Sequence, residues 1–179
     1  MAHLLTGIRL GLALPLAAAF ARPDWLAAGL VAALLAAAIA SDWLDGVVAR
    51  RRGTASAGGQ LFDHATDCVF VTAGLTGAAL AGGVPLALPV LVAVAFGQYA
   101  ADSYWLHRER RLRMSTIGRW NGIGYFVPLV VLAAARIEVV PGQAAVLEPL
   151  ARASAYVLAA STIVSIVDRA TAAHRARRR

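Results

Sequence analysis

Residues 41–67 read SDWLDGVVARRRGTASAGGQLFDHATD, and this stretch decides how the rest of the chain is interpreted. It contains four aspartates, Asp42, Asp45, Asp63 and Asp67, at the edges of two strongly apolar segments. A carboxylate that is removed from water is costly unless it is paired or binds a metal ion. The stretch therefore raises the question of what these carboxylates hold.

The composition is that of a membrane protein. The chain has 179 residues, of which 59% are hydrophobic, and its mean hydropathy is +0.65; both values are unusual for a soluble domain. The net charge of +7 comes from arginines that stand mostly at the ends of apolar segments, as in membrane proteins, so we expect no nucleic-acid partner. The length favours a single domain over residues 1–179.

Six apolar segments are long enough to predict transmembrane helices, each of which needs about 20 residues. They are residues 4–21, 25–49, 60–81, 84–106, 117–135 and 143–167. The first segment has no clear cleavage site, so we expect it to remain as a helix of the mature protein. Arginines concentrate in the second and fourth loops and in the C-terminal tail, which predicts that both termini lie in the cytoplasm of a multi-pass cell-membrane protein.

Helical spacing brings the four aspartates into two pairs. Asp42 and Asp45 are three residues apart and Asp63 and Asp67 are four apart, so each pair shares one helix face. The depths of the pairs match at about 6–12 Å from the ends of their helices, which predicts one cluster below the cytoplasmic surface. Two hard divalent cations with oxygen ligands would balance four negative charges. Such pairs of ions support displacement at phosphorus.

Small residues and an arginine accompany the aspartates. Gly46 and Ala49 lie one turn beyond Asp45, and Gly59 stands on the facing segment. They leave a notch in which a flat group can approach the backbone, and Arg50 is placed to bind a phosphate oxygen. Close packing of helices through small residues is the alternative interpretation of each glycine.

These residues resemble the CDP-alcohol phosphatidyltransferase family, whose signature is Asp-x2-Asp-Gly-x2-Ala-Arg-x8-Gly-x3-Asp-x3-Asp. All eight of its positions are present here: Asp42, Asp45, Gly46, Ala49, Arg50, Gly59, Asp63 and Asp67. The resemblance implies transfer of a phosphatidyl group from CDP-diacylglycerol to a small alcohol with release of CMP. It also implies that the four aspartates bind two metal ions, Mg²⁺ or Mn²⁺, that Asp67 is the general base, and that the enzyme is a homodimer. By the same resemblance Asp45, Gly46, Ala49, Arg50 and Gly59 form the nucleotide site.

Two further segments bear on the acceptor alcohol. Thr6 and Arg9 in HLLTGIRL resemble the opening of members that act on glycerophosphate, although a snorkelling role for Arg9 is equally open. Residues 113–122, RMSTIGRWNG, resemble a segment of phosphatidylglycerophosphate synthases and differ from it at Asn121 and Gly122. We therefore expect a phosphorylated acceptor such as glycerol 3-phosphate.

The acceptor phosphate is expected to bind to loop arginines, namely Arg108, Arg113 and Arg119. The same arginines have a second interpretation as signals of membrane topology. Asp102 is left with two roles, as the partner of a loop arginine or as a contact of the acceptor.

Other functions remain open at this stage. Inositol phosphate and serine are alternative acceptors, and transfer of a headgroup from a CDP-alcohol to diacylglycerol is an alternative reaction. A small cation or proton carrier is the alternative outside enzymes. It is weakened because all four aspartates crowd one end and because the first, fifth and sixth segments offer few polar groups.

Overall fold

The computed structural model describes residues 2–51, 57–101 and 116–177, and all regular structure in these ranges is helical. The helices are α1 (Ala2–Ala21), α2 (Ala28–Arg51), α3 (Ala57–Leu80), α4 (Ala87–Ala101), α5 (Thr116–Gly124), α6 (Phe126–Ile137) and α7 (Gln143–Arg177). The expected all-α fold is confirmed for this part of the chain.

The helices form a closed ring. Contacts among the described residues run from α2 to α1, then to α3, α4 and α7, and return through α6 to α2. α5 packs on α7 and α6, and α3 also contacts α6 across the interior. Each helix therefore buries one face against two neighbours, which is how a bundle of short helices encloses a single core.

α1 and α3 run in the same direction and approach each other closely. Arg9 contacts Asp67 near the start of both helices, and Ala17 meets Gly77 further along both. A Cβ atom added to Gly77 would lie 2.1 Å from the backbone oxygen of Ala17. Only glycine allows this approach, so the pair fixes the register of the two helices.

Side-chain size is distributed as in a membrane protein. The inward face of α7 carries small or hydroxylated residues, whereas its outer face exposes large apolar ones. The inward set is Ala151, Ala155, Ala159, Thr162 and Ser165, and the outward set includes Tyr156, Val157, Ile163, Val164 and Val167. Small residues let helix backbones approach, and apolar side chains can face lipid without cost.

Two stretches of the described residues, Thr116–Ile137 and Gln143–Thr171, are long and apolar enough to cross a membrane. Three further apolar stretches, Gly7–Ala21 of α1, Ala28–Ser41 of α2 and Ala87–Ala101 of α4, are shorter when only the side chains that the structure describes are counted. α3 falls outside both groups because Gln60, Asp63, His64 and Asp67 interrupt its first turns. The six spans and the cytoplasmic termini therefore remain predictions.

The break expected at Gly82-Gly83 is confirmed and has a specific geometry. Gly82 has φ +77°, and its N–H donates to the Ala79 oxygen at 2.9 Å. The Gly83 N–H donates to the Ala78 oxygen at 2.9 Å. These bonds are those of a Schellman motif, in which a glycine in the left-handed region ends a helix.

The segment predicted as one helix over residues 117–135 is interrupted at Tyr125, between α5 and α6. Pro128 explains the interruption, because it has no N–H to donate to the Gly124 carbonyl and its ring crowds that oxygen. Tyr125 keeps helical angles, φ −62° and ψ −20°, so the backbone follows a helical path through the interruption.

Polar side chains join the helices inside the ring, which corrects the expectation that the first, fifth and sixth segments offer few of them. Tyr125 bonds Thr162 at 2.8 Å, and Ser161 donates to Asn121 Oδ1 at 2.7 Å. Ser165 lies 3.3 Å from the hydroxyl of Tyr99 on α4. Bonds of this kind contribute about 0.6 kcal/mol each in membranes, so they select the pairing of helices more than they stabilise it.

Arg136, in the last turn of α6, binds the end of α1. It donates to the backbone oxygens of Ala19 and Phe20 at 2.7 and 3.0 Å, and its guanidinium lies 5.0 Å from the Phe20 ring centroid. We expect Arg136→Ala to lower the free energy of unfolding by about 1.5–3 kcal/mol, because charged hydrogen bonds to helix-end carbonyls are lost.

The matched control is Arg152→Ala. Arg152 is exposed and donates a hydrogen bond to the Gly82 oxygen at 2.7 Å, so a smaller loss is expected. Thermal unfolding of both variants in detergent measures the difference. Equal losses would show that the Arg136 contacts with α1 add nothing beyond removal of an arginine.

Candidate active site

The candidate site begins at the first turns of α3. Asp63 and Asp67 are one turn apart on this helix, and both side chains are half-buried. Thr66, between them, is buried, and the buried face of the helix continues beyond Asp67 with Phe70, Val71, Gly74, Leu75, Gly77 and Ala78. The two carboxylates therefore lie at the end of the core, where apolar packing gives way to accessible polar groups.

The structure adds one residue to the site, Arg9. Its side chain is only 2% exposed, and Nη1 lies 2.5 Å from Oδ1 of Asp67, which is 23% exposed. The snorkelling role that the sequence left open is wrong, since Arg9 points into the bundle. Its place in HLLTGIRL was the only sequence signal for it, and nothing in the sequence indicated its partner.

The backbone of α2 carries Asp42, Asp45, Gly46, Ala49 and Arg50 in its last turns, but their side chains lie outside the described set. Gly59 lies in the first turn of α3 and is half-buried. α1 packs on both α2 and α3. The joining of the two aspartate pairs into one cluster stays a prediction.

Metal-ligating side chains do not form a group of three or more in the described part of the chain. Asp63 and Asp67 are described there, whereas the other two predicted ligands are not. The two that are described offer carboxylate oxygens that are partly accessible, which is the donor chemistry that Mg²⁺ and Mn²⁺ prefer.

Of the three arginines expected to bind the acceptor, Arg119 is described, whereas Arg108 and Arg113 lie outside the described residues, as does Asp102. Arg119 is exposed and lines an open groove of about 300 Å³ with Thr116, Trp120 and Ile123. The groove therefore presents one cation and an indole at the start of α5.

α7 shows that this groove and the carboxylates lie at the same end of the bundle. Asn121 of α5 and Tyr99 of α4 bond to positions one turn apart on α7, so the start of α5 lies beside the end of α4. α3 and α4 pack against each other across a short connection, residues 81–86, so they are antiparallel and the end of α4 lies on the side where α3 begins. Arg119 and Asp67 thus share one end of the ring.

These features define a helical membrane protein with a charged site at one end of its bundle. The model of the CDP-alcohol phosphatidyltransferase family matches residues 1–167, and the chain belongs to this family. It is therefore a transferase, of the kind that carries out phosphatidyl transfer in phospholipid synthesis. No curated protein and no solved structure matches the chain at a significant level.

Proposed function

We propose that this enzyme transfers the phosphatidyl group of CDP-diacylglycerol to a small phosphorylated alcohol, for which glycerol 3-phosphate is the expected acceptor, and releases CMP. The observation that carries the proposal is the family match over residues 1–167, which contains the whole Asp-Gly-Ala-Arg-Gly-Asp pattern. The position of Asp63 and Asp67 at the accessible end of the core supports it.

The proposed ligands of two divalent cations are Asp42, Asp45, Asp63 and Asp67. When bound, the cations neutralise the pyrophosphate of the donor and the phosphate of the departing CMP. Asp45, Gly46, Ala49, Arg50 and Gly59 are the proposed nucleotide site. There the small residues admit the nucleotide and the guanidinium binds a phosphate oxygen.

Asp67 is the proposed general base. Its carboxylate takes the proton of the acceptor hydroxyl as the alcohol oxygen forms a bond to the phosphorus that carries diacylglycerol. The bond from that phosphorus to the CMP oxygen breaks, and CMP leaves with the bonding electrons. The half-buried position of Asp67 suits this role, since a partly desolvated carboxylate remains reachable by a hydroxyl.

The setting of the reaction is also part of the proposal. A single domain with six spans and cytoplasmic termini would hold the lipid tails of the donor in the bilayer and place its headgroup in water on the cytoplasmic side. A homodimer is proposed by analogy with the family.

The decisive experiment measures CMP release from CDP-diacylglycerol by purified protein. We expect release to require the acceptor, to stop in EDTA and to return with Mg²⁺ or Mn²⁺, because four carboxylates without cations repel the donor pyrophosphate. Undiminished release in EDTA would rule out the proposed metal site. A panel of glycerol 3-phosphate, inositol phosphate and serine identifies the acceptor. An assay with a CDP-alcohol as donor and diacylglycerol as acceptor tests the alternative reaction, in which the headgroup is transferred.

The proposed acceptor contact predicts the behaviour of Arg119→Ala. Loss of a charged hydrogen bond to a phosphate should raise the KM for the acceptor by the equivalent of about 1.5–3 kcal/mol. The KM for CDP-diacylglycerol should hardly change, because the proposed nucleotide-binding residues belong to α2 and α3 and Arg119 belongs to α5. Rates at varied acceptor and fixed donor measure this.

Arg22→Ala is the matched control, because Arg22 is exposed after the end of α1. Arg22→Ala removes the same charge, but at the end of the bundle opposite to Asp67 and Arg119. It should therefore leave both KM values unchanged. An equal rise in acceptor KM in the two variants would reduce Arg119 to a general contributor to surface charge.

A further inference from the structure

The proposed function assigns roles to Asp67 but none to Arg9, which forms an ion pair with it. Arg9 is the largest fully buried side chain of the described residues, and the other inward side chains that the structure describes on α1 are apolar. They are Ala13, Leu16, Ala19 and Phe20. Arg9 thus places a positive charge on the inward face of α1, where an apolar side chain would continue the pattern of the other residues.

Stability alone does not explain such a residue. A buried ion pair is often no more stabilising than apolar side chains of the same volume, because both charges lose their hydration. A buried pair therefore points to a requirement for geometry or charge at that place. Here the partner is the carboxylate of Asp67, which lies at the accessible end of the core.

The packing around Arg9 holds its guanidinium in a defined position, which can fix the orientation of the Asp67 carboxylate. The backbones of α1 and α3 come close together at Ala17 and Gly77, and this approach favours the register in which a residue without a Cβ atom faces Ala17. The guanidinium is enclosed, with 2% of the side chain exposed, and holds Oδ1 of Asp67 at 2.5 Å. A carboxylate on an accessible helix turn otherwise samples several rotamers, and one fixed oxygen restricts it to a single orientation.

We propose that Arg9 is a positioning residue that fixes the orientation of the Asp67 carboxylate for proton transfer. The inference rests on the proposed function, in which Asp67 is the base. Arg9 holds Oδ1, and Oδ2 takes the proton of the acceptor hydroxyl while the oxygen–phosphorus bond forms and the bond to CMP breaks. Arg9 neither gains nor loses a proton in this step, and it touches neither substrate.

The test compares Arg9→Gln and Arg9→Lys, each alone and in an Asp67→Asn background. Arg9→Gln should lower kcat by about 10²-fold, the size of effect expected from a misplaced reactive group, with little change in the KM for CDP-diacylglycerol. Arg9→Lys should recover part of kcat, because it keeps the charge without the planar fork. In the Asp67→Asn background, Arg9→Gln should cause no further loss of rate, since the two residues act as one unit.

A second readout does not depend on turnover. Thermal unfolding in EDTA is measured for the wild type, both single variants and the double variant, and the contact predicts that the effects of Arg9→Gln and Asp67→Asn are not additive. Arg22→Gln, at an exposed position, is the control for charge. If Arg9→Gln does not fold, Arg9→Lys decides the question, and a full kcat in that variant overturns the proposal.

The outcomes separate this inference from the function on which it rests. A wild-type protein that releases no CMP with any donor overturns the proposed function and the inference with it. An active wild type whose folded Arg9 variants keep its kcat overturns only the inference. A loss of rate that is equal with and without the Asp67 carboxylate also overturns it, because Arg9 would then act independently of that residue.

Discussion

Asp67→Asn is expected to lower the rate of CMP release by about 10²–10⁴-fold, the usual contribution of a positioned general base. The amide keeps the shape of the side chain but lacks the charge and the basic oxygen of the carboxylate. The same substitution leaves the buried guanidinium of Arg9 beside a neutral group. Breaking a buried pair costs about 3–5 kcal/mol, and the 23% exposure of Asp67 favours the lower end.

The loss of catalytic rate must therefore be separated from the loss of stability in Asp67→Asn. The rate is expressed per folded molecule, with the folded fraction taken from thermal unfolding and size-exclusion chromatography in detergent. Asp168→Asn is the matched control, because Asp168 is exposed on α7 and undergoes the same chemical change. It should keep the rate and the unfolding temperature of the wild type. If folded Asp67→Asn kept a tenth or more of the wild-type rate, Asp67 would have a structural role and no part in proton transfer.

Helix boundaries were the part of the fold most accessible to prediction, because they depend on local chemistry. Gly82-Gly83 was identified as a break from composition alone, and the structure shows why, since Gly82 occupies a left-handed position with φ +77°. The start of α7 at Gln143 likewise coincides with the predicted start of the last segment. These features involve residues a few positions apart, which sequence patterns can capture.

The interruption at Tyr125 was missed although its cause is also local. Hydrophobic periodicity runs through Pro128 without interruption, and the apolar composition outweighed the proline in the prediction of one span. A proline inside a transmembrane segment bends it without ending it, since neighbouring helices stabilise the remainder. The sequence thus predicted the span but gave no sign of its bend.

In the candidate site, too, the features within one helix were predicted from the sequence and the contacts between helices were not. Asp63 and Asp67 share a helix face because of their spacing, and the structure places both side chains at the accessible end of the core. The Arg9–Asp67 pair joins residues separated by 58 positions, so no pattern within one helix could indicate it. Asn121 was noted only as a departure from a family segment, yet it is buried and bonded to Ser161. Contacts between helices depend on how the bundle closes, which a single sequence does not specify.

Gly77→Ala is expected to produce a large loss of stability although it adds only one methyl group. The added Cβ atom would lie 2.1 Å from the Ala17 oxygen and 3.0 Å from its Cα atom. Both atoms belong to the backbone of α1, so they cannot rotate away and the helices must separate. Overpacking of a core typically costs about 1–3 kcal/mol, and we expect a loss at the upper end of that range.

The same substitution should reach the active site. Arg9 precedes Ala17 by eight residues on α1, about 12 Å along the helix. A displacement of α1 would therefore shift the guanidinium relative to the carboxylate that it holds on α3. We expect the rate of CMP release per folded molecule to fall as well, although Gly77 lies far from any substrate. A displacement of about 1 Å is enough to cost 10²-fold.

Gly97→Ala provides a matched control for both effects. Gly97 is also in a helix, but an added Cβ atom would meet nothing within 4 Å. Alanine is the better helix former by about 1 kcal/mol, so this variant should unfold at the wild-type temperature or slightly above it and keep the wild-type rate. Thermal unfolding in detergent and CMP release are measured on both proteins. If Gly77→Ala were as stable and as active as Gly97→Ala, the close approach of α1 and α3 could not be what holds Arg9 against Asp67, and the register of the site would have to depend on other contacts.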